Sequence, residues 1–237
     1  MGQAGGGQVV SGRLGRHRAD DGYAQALPVI SWPSAGRAVV ALGGAVLTVE
    51  VDPGSVERRL AAGDLECPGC GHRLGPWGWA VPRVLRGPGT QVVRVRPRRS
   101  RCSGCGVTHV LLPVFGLARR ADLAEVIGAA LVAKAKGASV RAIAVWLGRP
   151  VDTVRGWLRR FAKRAEAVRV VFTVLLADCG PDPVMPASAR SPVGDAVAAI
   201  VGAAGAVAAR WPVLGVVSPW LAASAATGGR LLAPSWP

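Results

Sequence analysis

A chain of 237 residues with 29 basic and 14 acidic side chains carries a formal net charge of +15, and half of its residues are hydrophobic. A field of that sign attracts polyanions and works against cationic partners. Five cysteines at sparse spacing, an odd number, argue against a secreted disulfide scaffold.

Residues 1–36 are Gly-rich and polar in their greater part and read as a flexible N-terminal arm. The apolar stretch 38–49 is short, begins far from Met1 and lacks a cleavage site, so no secretory signal is read and a cytoplasmic, nucleoid-associated protein is expected. Residues 37–118 read as one β-rich unit. Two apolar runs around Gly43-Gly44 fit a hairpin over 37–51. Asp52-Pro53 then supplies a cap and a first-turn proline for a short helix with Val56 and Leu60 on one face, stopped at Gly63.

Two tight cysteine pairs come next, Cys67-Pro68-Gly69-Cys70 and Cys102-Ser103-Gly104-Cys105. Each C-x-x-C lets two thiolates close on one ion from a single turn, and two such turns complete a tetrahedral four-thiolate site, the donor set of structural Zn2+. Four thiolates leave no open position for a catalytic water, and His72, two residues beyond Cys70, reads as an exposed neighbour rather than a ligand. The fifth cysteine, Cys179, reads as a plain thiol. Between the pairs, 79–86 and 91–96 are strand-like around the turn Gly87-Pro88-Gly89-Thr90, with Arg94 and Arg96 opposite a valine-rich face. Residues 108–112 offer a third strand, which takes in His109. From Cys67 through Ala121 there are ten arginines and no carboxylate. Arg94, Arg96, Arg98 and Arg99 are therefore candidate phosphate contacts. Trp77 and Trp79 are of a type that stacks on bases, but so small a unit needs aromatic bulk, and a core position is the expectation.

Residues 119–172 read as a trihelical helix-turn-helix. Its first helix aligns Leu123, Val126, Ile127, Ala130 and Leu131; the second starts after the cap Ser139 and aligns Val140, Ile143, Ala144 and Leu147. Gly148 permits the sharp turn. The third starts near Val151 and turns Val154, Leu158, Phe161 and Ala165 inward with Trp157 at its edge, leaving Arg155, Arg159 and Lys163 on the opposite stripe. In such a unit the last helix enters the major groove. Arg155 is placed to read guanine, and Arg159, Arg160, Lys163 and Arg164 to meet phosphates. A Pro-rich linker over 173–192 and a helical appendix over 193–237 complete the chain. The appendix's apolar stripe (Val197, Ile200, Val201, Ala204, Val207) fits packing on the body or against a second copy, in a homodimer, better than membrane insertion, because Arg210, Trp211 and Pro212 interrupt it.

Cys67-x-x-Cys70-Gly71, the run Arg98-Arg99-Ser100-Arg101-Cys102-x-x-Cys105, Leu112-Pro113 and the run from Thr153 to Arg160 resemble bacterial transposase-like zinc-ribbon/helix-turn-helix proteins over residues 51–171. That resemblance implies an α+β architecture: a small β zinc ribbon, a trihelical helix-turn-helix domain and a short helical C-terminal segment. It carries the zinc-ligand role to Cys67, Cys70, Cys102 and Cys105, and the groove-facing role to Val151, Asp152 and Arg155. Pro150 departs from the family's Ser or Thr cap and lacks the capping oxygen.

No enzyme is legible. A two-metal phosphoryl-transfer centre needs clustered carboxylates, and after the third helix of the helix-turn-helix only Glu166, Asp178, Asp182 and Asp195 occur. The expectation is a non-catalytic, zinc-containing protein for double-stranded DNA, either a transcription regulator or a mobile-element accessory factor. The competing class is an adaptor docking to a recombinase, transposase or polymerase. A third reading is single-stranded nucleic acid or RNA binding through the ribbon.

Overall fold

The computed structural model describes residues 46–180, 182–234 and 236. The N-terminal arm, and the first strand and turn of the expected 37–51 hairpin, lie outside the described residues. The second half of that hairpin is a strand, β1 (Val46–Val49), and it runs parallel to a distant partner, β6 (Thr108–Pro113). Between them comes α1 (Pro53–Ala62). Both Asp52 carboxylate oxygens accept first-turn amides, Gly54 N at 3.1 Å and Ser55 N at 2.8 Å, and Gly63 ends the helix in the left-handed region.

Four strands form one sheet in the order β1-β6-β5-β2, with β2 (Leu74–Trp79) at the edge beside β5 (Arg98–Cys102). A separate hairpin pairs β3 (Arg83–Arg86) with β4 (Val92–Val95) around the expected Gly87–Thr90 turn. Two expectations change here. The single strand over 79–86 is two, because Pro82 cannot donate to a ladder and the pairing of β2 is already irregular at Gly78. The arginine run 98–102 is itself a strand, with Ser100 and Cys102 buried and Arg99 and Arg101 exposed. Its alternation is real but hidden in the sequence by charge.

The helices α2 (Ala124–Ala135), α3 (Val140–Leu147) and α4 (Val151–Ala162) form the expected trihelical unit. Ser139 Oγ accepts Ala142 N at 3.2 Å, and Gly148 takes φ 61°, a left-handed turn that few other residues adopt cheaply. Pro150 provides no side-chain cap. Trp157 is buried with Val154, Leu158 and Phe161 rather than standing at an edge.

The third helix stops at Ala162, and a further helix not anticipated from the sequence, α5 (Ala165–Cys179), begins after Arg164. The interval 173–192 read as a linker therefore starts inside α5. Cys179 is buried at its end. Beyond 180, α6 (Pro192–Arg210) packs along α5 and across α2 and α4, followed by a 3-10 turn at Pro212–Leu214 and by α7 (Pro219–Ala226). One core runs through all of these, from Leu85 of the hairpin through Ile127 and Phe161 to Ile200, Trp220 and Trp236. The C-terminal segment is thus part of the body, not an appendix. Of its apolar stripe, Val197, Ile200, Ala204 and Val207 are buried and Val201 is exposed. The helix α6 is long and apolar enough to cross a membrane, with a mean hydropathy of 1.6, but 44% of it is buried within the protein.

Candidate metal centre and nucleic-acid interface

The two cysteine turns are built alike. In the first, Gly71 N donates to Cys67 O at 2.8 Å and Cys67 N to His72 O at 2.8 Å; in the second, Gly106 N donates to Cys102 O at 3.2 Å and Cys102 N to Val107 O at 2.9 Å. Gly71 and Gly106 adopt φ 73° and 71°, the left-handed value that lets the chain double back over its own thiolates. Cross-strand pairing of Leu74 with Cys102 sets one turn against the other.

The four sulfurs lie within 4.8 Å of one another, with Cys67 and Cys105 Sγ 3.7 Å apart and Cys70 and Cys102 Sγ 3.3 Å apart. A tetrahedron of thiolates about 2.3 Å from zinc has edges of roughly 3.8 Å, so the four sulfurs are compatible with a four-coordinate ion after shifts of under about 1 Å. Cys67 and Cys102 are buried, whereas Cys70 and Cys105 are exposed. Without an ion, burial pushes the Cys67 thiol up to about 12. Cys102 falls to about 6, chiefly because the Cys105 amide donates to its sulfur; that amide and Gly104 N both sit at 3.4 Å. A cation held by the four cysteines would supply the charge that lets the buried Cys67 sulfur ionise.

One residue at this centre was not singled out in the sequence. His109, buried in β6, places Nε2 3.4 Å from Cys67 Sγ. With Nε2 protonated it donates to the thiolate from outside the ligand set, the role that orients ligands in metal centres. Its only sequence signal is its place in a strand, facing the same way as Leu111. His72 stays outside, as expected: it is exposed, with Nδ1 3.2 Å from Cys70 O.

On the helical side, Arg155 and Arg159 are exposed along α4 and Lys163 at its C-terminal cap, and Arg160 and Arg164 are partly buried. Arg155 forms an ion pair with Asp152 one turn earlier, both well exposed, a contact that exchanges readily with an incoming anion. Val151 is partly buried at the helix start. Arg159, Arg160, Lys163 and Arg164 line a groove against Leu232, Ala233 and Pro234, where Arg164 also donates to Trp236 O at 2.6 Å. Arg120 falls below the usual guanidinium range, first through burial and then through repulsion from Arg160 and Arg119. Arg119 and Arg160 therefore stand close enough to Arg120 to repel it, and among the described residues that line the groove Glu166 is the one acid.

The arginines of β4, β5 and the link between them divide. Arg94, Arg96 and Arg99 are exposed, whereas Arg98 turns inward, 2.7 Å from Glu57 and donating to Gly78 O at 2.6 Å. Trp77 and Trp79 are not core, contrary to expectation: they are 52% and 46% exposed, and Val49, Leu65, Leu74 and Leu111 fill the sheet's interior instead.

A buried cluster joins the two halves. Asp122, just before α2, accepts from Arg149 Nε at 2.6 Å and from Arg86 Nη2 at 2.8 Å. Arg149 lies in the turn between α3 and α4 and also donates to Gly87 O at 2.5 Å. The tip of the β3–β4 hairpin is thereby held against the N-terminus of α4.

A family model described as a homeodomain-like domain matches residues 120–169, which hold α2, α3, α4 and the start of α5. No curated protein and no solved structure matches the chain. The helix-turn-helix-like fold and a cysteine cluster able to coordinate a metal support a general DNA-binding, regulatory role.

Proposed function

We propose that the chain is a non-catalytic, zinc-stabilised protein that binds double-stranded DNA through α4, as a transcription regulator or as an accessory factor of a mobile element. The observation that carries this reading is α4 itself. It is the last helix of a trihelical unit within the homeodomain-like match, and its outward stripe of Arg155, Arg159 and Lys163 is exposed. Such a helix reads base edges from its N-terminal half while flanking cations meet phosphates. Arg155, with Val151 and Asp152 beside it, faces the bases; Arg159, Arg160, Lys163 and Arg164 flank it with positive charge. The hairpin held at the start of α4 carries Arg94 and Arg96 alongside, and Arg99 extends the basic surface. Zinc held by Cys67, Cys70, Cys102 and Cys105 keeps the β region folded as a zinc ribbon.

Selection of bound duplexes from a random pool, followed by competition of the selected site against random duplex at moderate salt, tests the reading. Equal affinity for both would refute sequence-directed binding. The adaptor reading draws on α3, where Val145 and Trp146 are 82% and 64% exposed. An adaptor for a recombinase or polymerase would keep its partner when Arg155 is replaced and lose it when Trp146 is replaced.

A further inference from the structure

Two indoles on the surface of a small sheet are a cost that its fold does not require. Both stand on β2, the edge strand, while the interior behind it is already filled by aliphatic side chains. Each is accompanied by a guanidinium: Arg101 lies 4.6 Å from the ring centre of Trp77, and Arg98 lies 4.8 Å from that of Trp79. Trp77 and Arg101 wall a shallow depression beside the second cysteine turn, completed by Gly75, Pro76 and residues 102–104 and 106. Gly75 and Gly106 carry no side chain and are uncrowded where one would stand, so a flat ring can approach the backbone closely there.

The electrostatics narrow the ligand. The segment from Cys67 to Ala121 holds no carboxylate, and Arg94, Arg96 and Arg99 are exposed in it. Glu57, from the neighbouring helix α1, is engaged by Arg98 at 2.7 Å. A half-exposed indole with a guanidinium stacked over its ring, in a positive field, matches a planar ring tethered to phosphate, the guanidinium swinging to the phosphate as the base takes its place. In a duplex the faces of the bases are closed by their neighbours, so stacking of this kind selects unpaired nucleotides.

We propose that the Trp77–Arg101 depression binds an unpaired nucleotide of single-stranded nucleic acid, with Trp79, two residues along the same edge, as a second stacking platform. Trp77 takes the base and Arg101 its phosphate. This site is separate from α4 and does not depend on duplex recognition there. It places a strand-binding surface and a duplex-binding helix on one protein.

The experiment uses the full, zinc-loaded chain and fluorescence anisotropy with three labelled probes of about twelve nucleotides, a length within the span that comparable sites cover. The probes are oligo-dT, oligo-rU and a duplex. Trp77→Ala should weaken strand binding by roughly fivefold to a hundredfold, the range of one lost base stack, and leave duplex binding unchanged. Trp77→Phe should restore most of that loss, and Arg101→Glu should weaken strand binding again. Arg155→Ala should show the opposite pattern, so a failure of the duplex reading is distinguishable from a failure of this one. Preference for dT names DNA as the source, preference for rU names RNA, and equal affinity shows that the sugar is not read; each upholds the site. Absence of strand binding, or equal losses on strand and duplex for Trp77→Ala with zinc content intact, overturns it.

Discussion

Arg149 Nε lies 2.6 Å from the Asp122 carboxylate, and both side chains are buried. Neither residue belongs to a helix stripe or to a cysteine turn, yet together they determine how the start of α4 stands relative to the β3–β4 hairpin. Arg86 takes the second carboxylate oxygen from a more exposed position. Removing the shared carboxylate leaves the Arg149 charge buried without its partner. Asp122→Ala should therefore lower stability by about 3–5 kcal/mol in denaturant titration. Replacing both residues together, as Asp122→Leu with Arg149→Met, should cost less than the single change. A single change costing under about 1 kcal/mol, the scale of a surface pair, would show that the cluster is solvated.

Metal analysis of protein purified without chelator should find one zinc per chain, unchanged by Cys179→Ser and lost with Cys102→Ser. Because Cys67 without metal is raised to about 12, binding at neutral pH must displace its proton. Affinity therefore rises with pH, and acidification releases the ion as the thiolates are reprotonated. His109→Ala should weaken zinc binding about 10- to 100-fold, as loss of an outer hydrogen bond to a ligand does. Folded, metal-free protein from such a preparation would remove the zinc assignment.

On a selected duplex, Arg155→Ala should cost about 1–3 kcal/mol and relax the choice at one base pair. Lys163→Ala should weaken all duplexes alike and reduce the salt slope by about one unit. Parallel losses on specific and random DNA for Arg155→Ala would move that residue to the phosphate-binding group.

A chain ending near Asp182 should not fold to the native state, because it uncovers Ile127, Phe161 and Phe172 on the face that α6 and α7 cover. This reverses what a detachable tail would do. A gentler probe is Gly128→Ala on α2, where a methyl group would overlap the Trp220 indole of α7. Overpacking of this kind costs about 1–3 kcal/mol, and each kcal/mol lowers Tm by about 2–4 °C in a chain of this size. A truncated chain with an unchanged cooperative transition would show that the tail is separable after all.

Incubation with duplex and magnesium or manganese should yield neither cut nor joined products. The carboxylates of α5 and α6 do not assemble into a two-metal centre: Glu166 pairs with Arg169 at 2.6 Å, and Asp195 accepts from Ala189 N. Cleavage that disappears on replacing Asp178 or Asp195 would contradict this.

The features legible in the sequence alone were governed by short-range rules. The paired C-x-x-C turns, the Asp52 and Ser139 caps, the Gly87–Thr90 turn and the 3.6-residue stripes of α2 to α4 each depend on residues a few positions apart, and each stands where expected. The strand β5 escaped because arginines masked its alternation. The helix α5 escaped because its start at Ala165 carries no capping side chain, so its periodicity ran on from α4. Long-range packing decided the rest. Whether Trp77 and Trp79 were core depended on which residues filled the sheet first, and Leu74 and Leu111 did. Whether α6 crossed a membrane, bound a second copy or covered this body depended on a complementary surface, supplied by α5 and α2. The pairing of Asp122 with Arg149 joins residues 27 positions apart. No local pattern encodes such a contact, because the energy that selects it exists only once the hairpin and the helices have closed around it.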